Sequence, residues 1–297
     1  MPIRNTNDGT QAAPYLRLDL NMGTLCDQPP WSTGPTGDER TVLQAIKAAG
    51  YKGIQGGNAA LARELGLGAS GGGRLNKPEE AEPFARDAKA NGVAAATLHV
   101  GWGMESDAEM DALVRAVISA SERHDLPLYI EVHRATILQD MWRAVELTKR
   151  IPEVRFNGDF SHWYTGLEMV YGDFEQKLDF CAPVFERTRF FHGRIGDPSC
   201  MQVDVGDGTG RSYVDHFKEM WTRCCVGFLR SARPGDFISF APELLHPANY
   251  YARLMPDGKG GYSEFSDRWQ QAKVLGRLAQ EAFAQAQARL GKSASAR

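Results

Sequence analysis

Short apolar segments alternate with segments of helical periodicity along most of the chain. Seven of the apolar segments are predicted to be strands, because they have strand length and most are separated by helical segments. The predicted strands are Tyr15–Met22, Lys52–Gly57, Val93–Gly101, Leu126–His133, Val154–Asp159, Thr188–Ile195 and Asp236–Leu244.

The clearest helix is predicted at Asp107–His124, where Ser106 and Glu109 form a capping-box pattern at the start. Its apolar stripe follows the spacing i, i+3, i+4, i+7, i+8 and consists of Met110, Leu113, Val114, Val117 and Ile118. Other helices are predicted within Arg40–Gly50, Pro78–Gly92, Thr136–Ile151, Tyr213–Arg230 and Phe265–Leu290.

Strand–helix alternation at this spacing predicts a parallel sheet with helical crossovers. Seven or eight such units favour a single-domain (β/α)8 TIM barrel with a long C-terminal helix. A doubly wound open sheet is the alternative, but the turn after the first strand, LNMGTLCD, lacks GxGxxG. The predicted divisions are an N-terminal arm at 1–14, the barrel at 15–290 and a disordered tail at 291–297.

Two glycine-rich segments, Gly66–Arg74 and Gly206–Arg211, do not match a phosphate-binding GxxxxGK[ST] loop. Both are predicted to be mobile surface loops, and a lid over the barrel mouth is the functional alternative. The glycine-rich segment Pro198–Tyr213 receives no assignment.

Composition excludes several classes of function. The 297-residue chain has a net charge of −3 and a pI near 6.2, so nucleic acid and anionic membranes are not predicted partners. No apolar run approaches the roughly 20 residues of a membrane span, and the N-terminus lacks a signal-peptide core, so a cytoplasmic protein is predicted. The five cysteines include no CxxC and are predicted to be reduced thiols.

The predicted strands end in residues suited to metal binding. In a barrel the site lies at the C-terminal ends of the strands. Four different strand ends each carry one candidate metal ligand, three carboxylates and one imidazole in all. These residues are Glu131, Asp159, His192 and Glu243. Converging carboxylates repel one another without a cation, so one divalent ion is predicted, Mn2+ first, with Mg2+, Co2+ or Zn2+ as alternatives. Solvated acids and an ordinary buried histidine are the alternative interpretation.

Other residues at these strand ends are candidate substrate contacts. His162 is predicted beside the metal, where it orients substrate or moves a proton. Arg194 is predicted to clamp a hydroxyl, carboxylate or phosphate, or else to pair with Asp197, itself a candidate substrate contact.

Further candidates lie on neighbouring strands. His133 shares a strand face with Glu131 and is predicted to support the metal ligands. His99 faces either the barrel mouth or the core. Trp102 is predicted to stack on a sugar ring, with packing beneath the loops as the alternative.

These motifs resemble the xylose isomerase-like TIM barrel superfamily, and most of all its sugar phosphate isomerase/epimerase branch. That branch includes ketose 3-epimerases, hydroxypyruvate isomerase and inosose dehydratase. The resemblance covers roughly Leu16–Leu290 and is carried by GYKGIQGG, LHVGWG, YIEVH, NGDFSHW, FFHGRIGD, PELLHPANYYA and FSDRWQQAKVLG. The order Glu…Asp-x-x-His…His…Glu is specific for the superfamily.

The resemblance implies that the four strand-end residues hold the metal and that Glu131 and Glu243 move a proton next to a carbonyl. The metal would polarise that carbonyl and stabilise an enediolate, and His162 would contact substrate. Two departures leave the substrate open. Arg194 comes only two residues after His192, whereas in the ketose epimerases the corresponding arginine lies further along. His133 and Arg134 stand where the ketose epimerases carry another glutamate.

The predicted function is a divalent-metal-dependent isomerase or epimerase of a sugar, keto-sugar or polyol. A metal-dependent lyase or dehydratase acting on a keto-sugar, 3-keto-glycoside or inosose is the alternative. A non-catalytic carbohydrate-binding barrel and an apurinic endonuclease-like protein rank lower, the latter because GIQGGNAA lacks a histidine and the chain is acidic. The predicted partner is a small carbohydrate, and the C-terminal helix packs on its own barrel or at a homo-oligomer contact.

Overall fold

Eleven strands are present in the computed structural model, which describes the backbone of residues 1–295 and the side chains of residues 1–292. They are β1 (Thr6–Asn7), β2 (Tyr15–Asn21), β3 (Gly53–Gln55), β4 (Gly68–Leu75), β5 (Ala96–Val100), β6 (Leu128–Glu131), β7 (Phe156–Asn157), β8 (Thr188–Gly193), β9 (Asp236–Pro242), β10 (Leu254–Pro256) and β11 (Tyr262–Glu264).

Eight of these strands, β2 to β9, form a closed parallel barrel. They pair in chain order, and β9 pairs with both β8 and β2, which closes the sheet. The register places Glu131 beside Asn157 and His192 beside Ala241. The predicted TIM barrel is therefore confirmed, and each of the seven predicted strands contributes to it.

Helices cover the outside of the barrel. The α-helices are α1 (Glu39–Ala48), α2 (Ala59–Glu64), α3 (Ala81–Ala90), α4 (Asp107–Arg123), α5 (Met141–Arg150), α6 (Ser161–Gly166), α7 (Phe174–Phe180), α8 (Ala182–Phe185), α9 (Ser212–Leu229) and α10 (Arg268–Ser295). Single-turn 3-10 helices lie at Met22–Leu25, Pro78–Glu80 and Pro247–Asn249.

Helix α4 begins as the sequence predicts. The Ser106 hydroxyl accepts the Glu109 N–H, and the Glu109 carboxylate accepts the Ser106 N–H at 2.8 Å, which completes the capping box. Four residues of the predicted stripe are buried in the core, and Ile118 packs at its margin.

The eighth barrel strand, β4, lies largely in the segment Gly66–Arg74, so the prediction of a mobile loop there was wrong. Glycine is normally depleted in strands because it offers no side chain to pack. Here neighbouring side chains fill that space: a Cβ on Gly73 would lie 2.4 Å from Cε2 of Phe84, and one on Gly68 would lie 2.7 Å from Nη1 of Arg17. Segment 206–211 is a loop next to α10, whose Gln271 donates to the Gly206 carbonyl at 3.2 Å.

The N-terminal residues close one end of the barrel. Strand β1 pairs antiparallel with the start of β9, and Ile3 belongs to a small buried cluster with Tyr129 and Phe190. The ring of Phe190 meets the ring of His192 edge-on at 5.9 Å. Apolar packing therefore lies directly beneath the strand-end residues that form the site described below.

Helix α10 packs on its own barrel, which is one of the two arrangements that the sequence predicts for it. Trp269, Leu275 and Leu278 are buried in the main core. The helix extends to Ser295, into the segment 291–297 for which the sequence predicts disorder, and residues 296–297 lie outside the described part of the chain. None of the described helices combines the length and apolar content needed to cross a membrane.

Candidate metal centre

Four side chains from four strand ends converge at the mouth of the barrel. Glu131 ends β6, Asp159 follows β7, His192 lies near the end of β8 and Glu243 follows β9. Each offers one ligand atom, and these atoms lie within 4.8 Å of one another. The glutamate of β6, the aspartate and the histidine are buried, and the Glu243 side chain is 15% exposed. The structure thus brings together the four ligands that the sequence predicts.

One hydrogen bond orients the His192 ring. Its Nε2 lies 2.8 Å from Oε1 of Gln55, whose own amide nitrogen donates to Thr97 at 2.9 Å. Nδ1 therefore faces the carboxylates, 3.3 Å from Oε2 of Glu131 and 3.5 Å from Oε2 of Glu243. Although buried, this nitrogen has no well-directed hydrogen-bond partner. A buried imidazole nitrogen aimed at carboxylates fits a metal ligand whose other nitrogen is held by a neighbouring side chain.

The protonation of the site follows from these contacts. Burial raises the pKa of Glu131, but His192 and His99 outweigh burial and hold that pKa well below its usual range. Burial by itself lowers the pKa of His192, whereas Glu131 and Glu243 raise it, to about 9. The histidine is thus a cation at neutral pH in the metal-free chain, and a divalent ion would have to displace its Nδ1 proton.

Arg194 reaches two of the metal-ligand candidates. Its Nη2 contacts Oδ2 of Asp159 and lies 2.6 Å from Oε2 of Glu243, and the guanidinium is fully buried. Burial raises the pKa of Asp159, but Arg194 and then His162 outweigh burial and hold that pKa far below its usual range. Three carboxylates carry three negative charges, which one divalent ion and this guanidinium together neutralise. The donor set and the charge therefore both fit a divalent cation.

A cavity of about 470 Å³ opens above the ligands on the side of β2 to β5. Its lining includes amide, hydroxyl, imidazole and carboxyl side chains, namely those of Asn21, Gln55, Thr97, His99, Glu131, His192 and Glu243. Four glycines of the loop after β3 and of β4, Gly56, Gly57, Gly72 and Gly73, form much of the remaining wall. The backbone exposed by these glycines widens the cavity to a volume typical of small-molecule sites.

The chain is similar in fold to several solved structures. A xylose isomerase-like TIM barrel protein from Mycobacterium smegmatis, in complex with magnesium, is similar with a TM-score of 0.54 and 13% identity over 93% of this chain and 97% of that chain. The chain has the xylose isomerase-like TIM barrel fold. No protein-family model and no curated sequence matches it.

Two further structures share this xylose isomerase-like fold. A D-tagatose 3-epimerase-like protein has a TM-score of 0.53 and 9% identity over 91% of this chain and 99% of that chain. The probable 3-DHS dehydratase AsbF of Bacillus anthracis, involved in petrobactin synthesis, has a TM-score of 0.52 and 14% identity over 76% of this chain and 92% of that chain. The resemblance seen in the sequence is confirmed at the level of the fold.

Three imidazoles form a row beside the four candidate metal ligands. The ring centroids of His99 and His133 lie 4.1 Å apart, and those of His133 and His162 lie 3.7 Å apart. Burial and the neighbouring His162 lower the pKa of His133 to about 3. Burial also lowers the pKa of His162, although Asp159, 3.4 Å away, opposes this. His133 and His162 are therefore neutral at pH 7, and as neutral imidazoles each can donate one hydrogen bond and accept another.

The other residues predicted to contact substrate lie at different places relative to the cavity. His99 lines the cavity and lies at the mouth rather than in the core. Trp102 is half-exposed at the rim, with Cζ of Arg74 4.0 Å from its ring centroid. Asp197 accepts the N–H groups of Ser199 and Cys200 at 2.7 Å within its own turn. The predicted alternative in which Arg194 pairs with Asp197 was wrong, because the guanidinium instead contacts Asp159 and Glu243, which follow the two strands on either side of β8.

Sequence reasoning missed two amide side chains of the site. Asn21 ends β2 and donates to Oε1 of Glu243 at 3.0 Å and to Gln55 at 2.9 Å. Gln55 ends β3 and holds His192. Both obey the strand-end rule that identified the acids and histidines, so applying that rule to amides would have found them.

Proposed function

We propose that this protein is a divalent-metal-dependent isomerase or epimerase that moves a proton at a carbon next to the carbonyl of a small sugar, keto-sugar or polyol derivative. The observation that carries the proposal is the placement of Glu131 and Glu243. Both line one cavity, and both have an oxygen within 3.5 Å of Nδ1 of His192. Two carboxylates around one reacting centre supply a base and an acid for proton transfer.

Glu131, Asp159, His192 and Glu243 would hold the ion, which when bound would polarise the substrate carbonyl as a Lewis acid. Glu131 or Glu243 would remove the proton on one face, and the other carboxyl group would return a proton to the opposite face or to the neighbouring carbon. Neutral hydrogen-bonding groups on Asn21 and Thr97 face the same cavity and would bind substrate hydroxyls.

A dehydratase or lyase is the second candidate. The same proton abstraction followed by loss of a β-substituent gives elimination, provided that an acid protonates the leaving group. His99 borders the cavity, with Nε2 3.0 Å from Oε1 of Glu131, and would supply that acid. Among the proteins of shared fold, one is described as D-tagatose 3-epimerase-like and another as a probable dehydratase, so both outcomes have a precedent on this architecture.

The first test is metal content by elemental mass spectrometry, on the wild type and on Asp159→Ala. We expect the wild type to carry a divalent ion at this centre and the variant to lose it. Glu64→Gln, an exposed glutamate paired with Arg40 on the surface, serves as the control and should retain the metal.

The second test uses NMR to measure the exchange of substrate hydrogen for solvent deuterium, across a panel of keto-sugars. Glu243→Gln should slow exchange by about 10²- to 10⁴-fold, whereas Glu64→Gln should not. A product of unchanged mass supports the epimerase or isomerase, and loss of water supports the dehydratase. A wild-type protein without metal after incubation with Mn2+, and without exchange, contradicts the proposal.

A further inference from the structure

We propose that a cavity at the N-terminal end of the barrel binds the phosphate group of a small phosphorylated molecule. The cavity has a volume of about 580 Å³ and lies beside the starts of β2, β3 and β4. At their other ends, β2 and β3 carry Asn21 and Gln55 to the candidate metal centre. The two sites therefore lie at opposite ends of the barrel, and binding in this cavity does not depend on the proposed function.

Three cationic side chains line this cavity. Arg17 lies in β2, Lys52 directly precedes β3 and Arg63 lies in α2. Asp8 supplies the one carboxylate among the described lining residues. A phosphate monoester carries nearly two negative charges at pH 7. Such a group binds most strongly where several charged N–H donors meet.

Arg17 is the rigid donor of the cavity. The residue is 4% exposed, and its Nε and Nη2 donate to the buried carboxylate of Asp19 at 2.8 and 2.7 Å. Its guanidinium lies over the ring of Phe237, with Cζ 3.9 Å from the ring centroid. The third nitrogen, Nη1, has no hydrogen-bond partner within the described part of the chain. Gly68 leaves this nitrogen uncovered, because a Cβ at that position would lie 2.7 Å from it.

Lys52 and Arg63 supply positive charge that no acid neutralises. Nζ of Lys52 has neither a hydrogen bond nor an ion pair within the residues that the structure describes. Arg63 donates from Nη1 to the carbonyl oxygens of Asn91 and Gly92, at 3.2 and 2.6 Å, which orients its guanidinium without neutralising it. Since no existing ion pair has to be broken, both cations are available to an anion.

Asp8 opposes an anion in this cavity and so provides a specific test. Its Oδ2 accepts the Tyr15 hydroxyl at 2.5 Å, and its Oδ1 accepts the Thr10 hydroxyl at 2.8 Å. Burial raises the pKa of Asp8, but these hydrogen bonds and the charge of Arg17 outweigh burial and lower it. The carboxylate is therefore ionised at neutral pH and repels a bound phosphate, and Asp8→Asn should relieve that repulsion.

The size and the neutral part of the lining indicate what the phosphate is attached to. Cavities of about 300–1,000 Å³ are typical of sites for small organic ligands, so this volume exceeds the needs of a free phosphate ion. Leu16, Leu67, Ala69 and Ala94 contribute the apolar part of the wall. The ligand is therefore a phosphate ester with a small organic body.

The experiment uses calorimetry to titrate chelator-treated protein with glucose 6-phosphate, with inorganic phosphate and with glucose, all at one ionic strength. We expect one glucose 6-phosphate per chain, bound more tightly than inorganic phosphate, and no binding of glucose. Lys52→Met and Arg63→Met should each weaken binding by about tenfold or more. Asp8→Asn should tighten it by about two- to fivefold. The control is Lys149→Met, which removes an exposed lysine of α5 paired with Glu146 and should leave affinity unchanged.

The other outcomes also decide the question. Equal affinities for glucose 6-phosphate and inorganic phosphate, both weakened in Lys52→Met, support the phosphate site and identify free phosphate as its ligand. Binding that is lost in Asp159→Ala and unchanged in Lys52→Met places the ligand at the metal centre and overturns the proposal. Failure of both phosphate compounds to bind overturns it too, as does an equal loss in Lys149→Met, which would reflect overall charge alone. Lys52 and Arg63 are exposed, so their variants avoid the loss of the buried Arg17–Asp19 pair.

Discussion

The side-chain oxygen of Gln55 lies 2.8 Å from Nε2 of His192 and determines which nitrogen of that ring faces the carboxylates. Because the Gln55 amide nitrogen donates to Thr97 at 2.9 Å, its oxygen is the group presented to the histidine. Gln55 itself is buried at the end of β3, where its side chain has little freedom. Gln55 is not one of the four candidate ligands, yet it orients the one nitrogen ligand of the candidate metal centre.

Replacing this amide should weaken metal binding without removing a ligand. We expect Gln55→Leu to lower the metal affinity of the candidate centre by about 10- to 100-fold, since the His192 ring loses the partner that fixes its orientation. Calorimetric titration with Mn2+ measures the change.

The matched control for this variant is Thr97→Val, which removes the acceptor of the Gln55 amide nitrogen and leaves the contacts of Gln55 with His192 and Asn21 in place. Its effect on affinity should be clearly smaller than that of Gln55→Leu. Equal affinities for Gln55→Leu and the wild type would show that the ring is oriented by packing alone.

The raised pKa of His192 predicts how pH acts on the metal-free protein. A histidine whose pKa rises on folding, here to about 9, contributes stability that is complete below its unfolded value near 6.5 and is lost as pH rises through 9. We expect the free energy of unfolding to fall by roughly 3 kcal/mol across this window. Urea unfolding in the presence of a chelator, at intervals from pH 6 to 9.5, measures the fall.

The same proton competes with the metal, so affinity for Mn2+ should rise with pH up to about 9. His192→Gln cannot take up this proton and should show a much flatter dependence of stability on pH. A wild-type curve that is already flat between pH 6.5 and 9 would contradict the raised pKa.

The fold was predictable from sequence wherever apolar runs marked the strands. The exception among the barrel strands was β4, in which glycines replace apolar side chains because Phe84 and Arg17 fill the space beside the strand. The sequence pattern of Gly68–Leu75 does not reveal this packing, because the side chains that fill the space come from other parts of the chain.

The candidate site was predictable where a strand end carried an acid or a histidine, because parallel strands bring their ends together. The partner of Arg194 was not predictable, since Asp159 and Glu243 are distant in sequence and Asp197 is near. The row of imidazoles was not predictable either, because the position of His133 between His99 and His162 depends on how three strand ends are spaced.

Arg268 should contribute strongly to stability, because it is a buried cation with several partners. It donates to Oε1 of Glu264 at 2.8 Å and to the carbonyl oxygens of Thr24 and Cys26, which ties α10 to the loop after β2. We expect Arg268→Met to destabilise the protein by about 3–5 kcal/mol, since it leaves Glu264 buried without its partner. Urea unfolding provides the measurement.

A suitable control for Arg268→Met is Arg277→Met on the same helix, where the arginine is exposed and pairs with Glu281. That surface pair should contribute less than about 1 kcal/mol. Similar losses in the two variants would mean that Arg268 acts through helix propensity rather than through its buried contacts.

Two glycines of β4 should respond differently to alanine. A Cβ at Gly73 would lie 2.4 Å from Cε2 of Phe84, whereas one at Gly71 would meet Cβ of Ala96 at an ordinary 3.6 Å. Gly73→Ala should therefore cost about 1–3 kcal/mol of unfolding free energy through displacement of the Phe84 ring. Gly71→Ala should be neutral or slightly stabilising, because alanine restricts the unfolded chain. Urea unfolding of the two variants compares their free energies of unfolding directly. Equal effects would mean that the Phe84 ring is not the reason for a glycine at position 73.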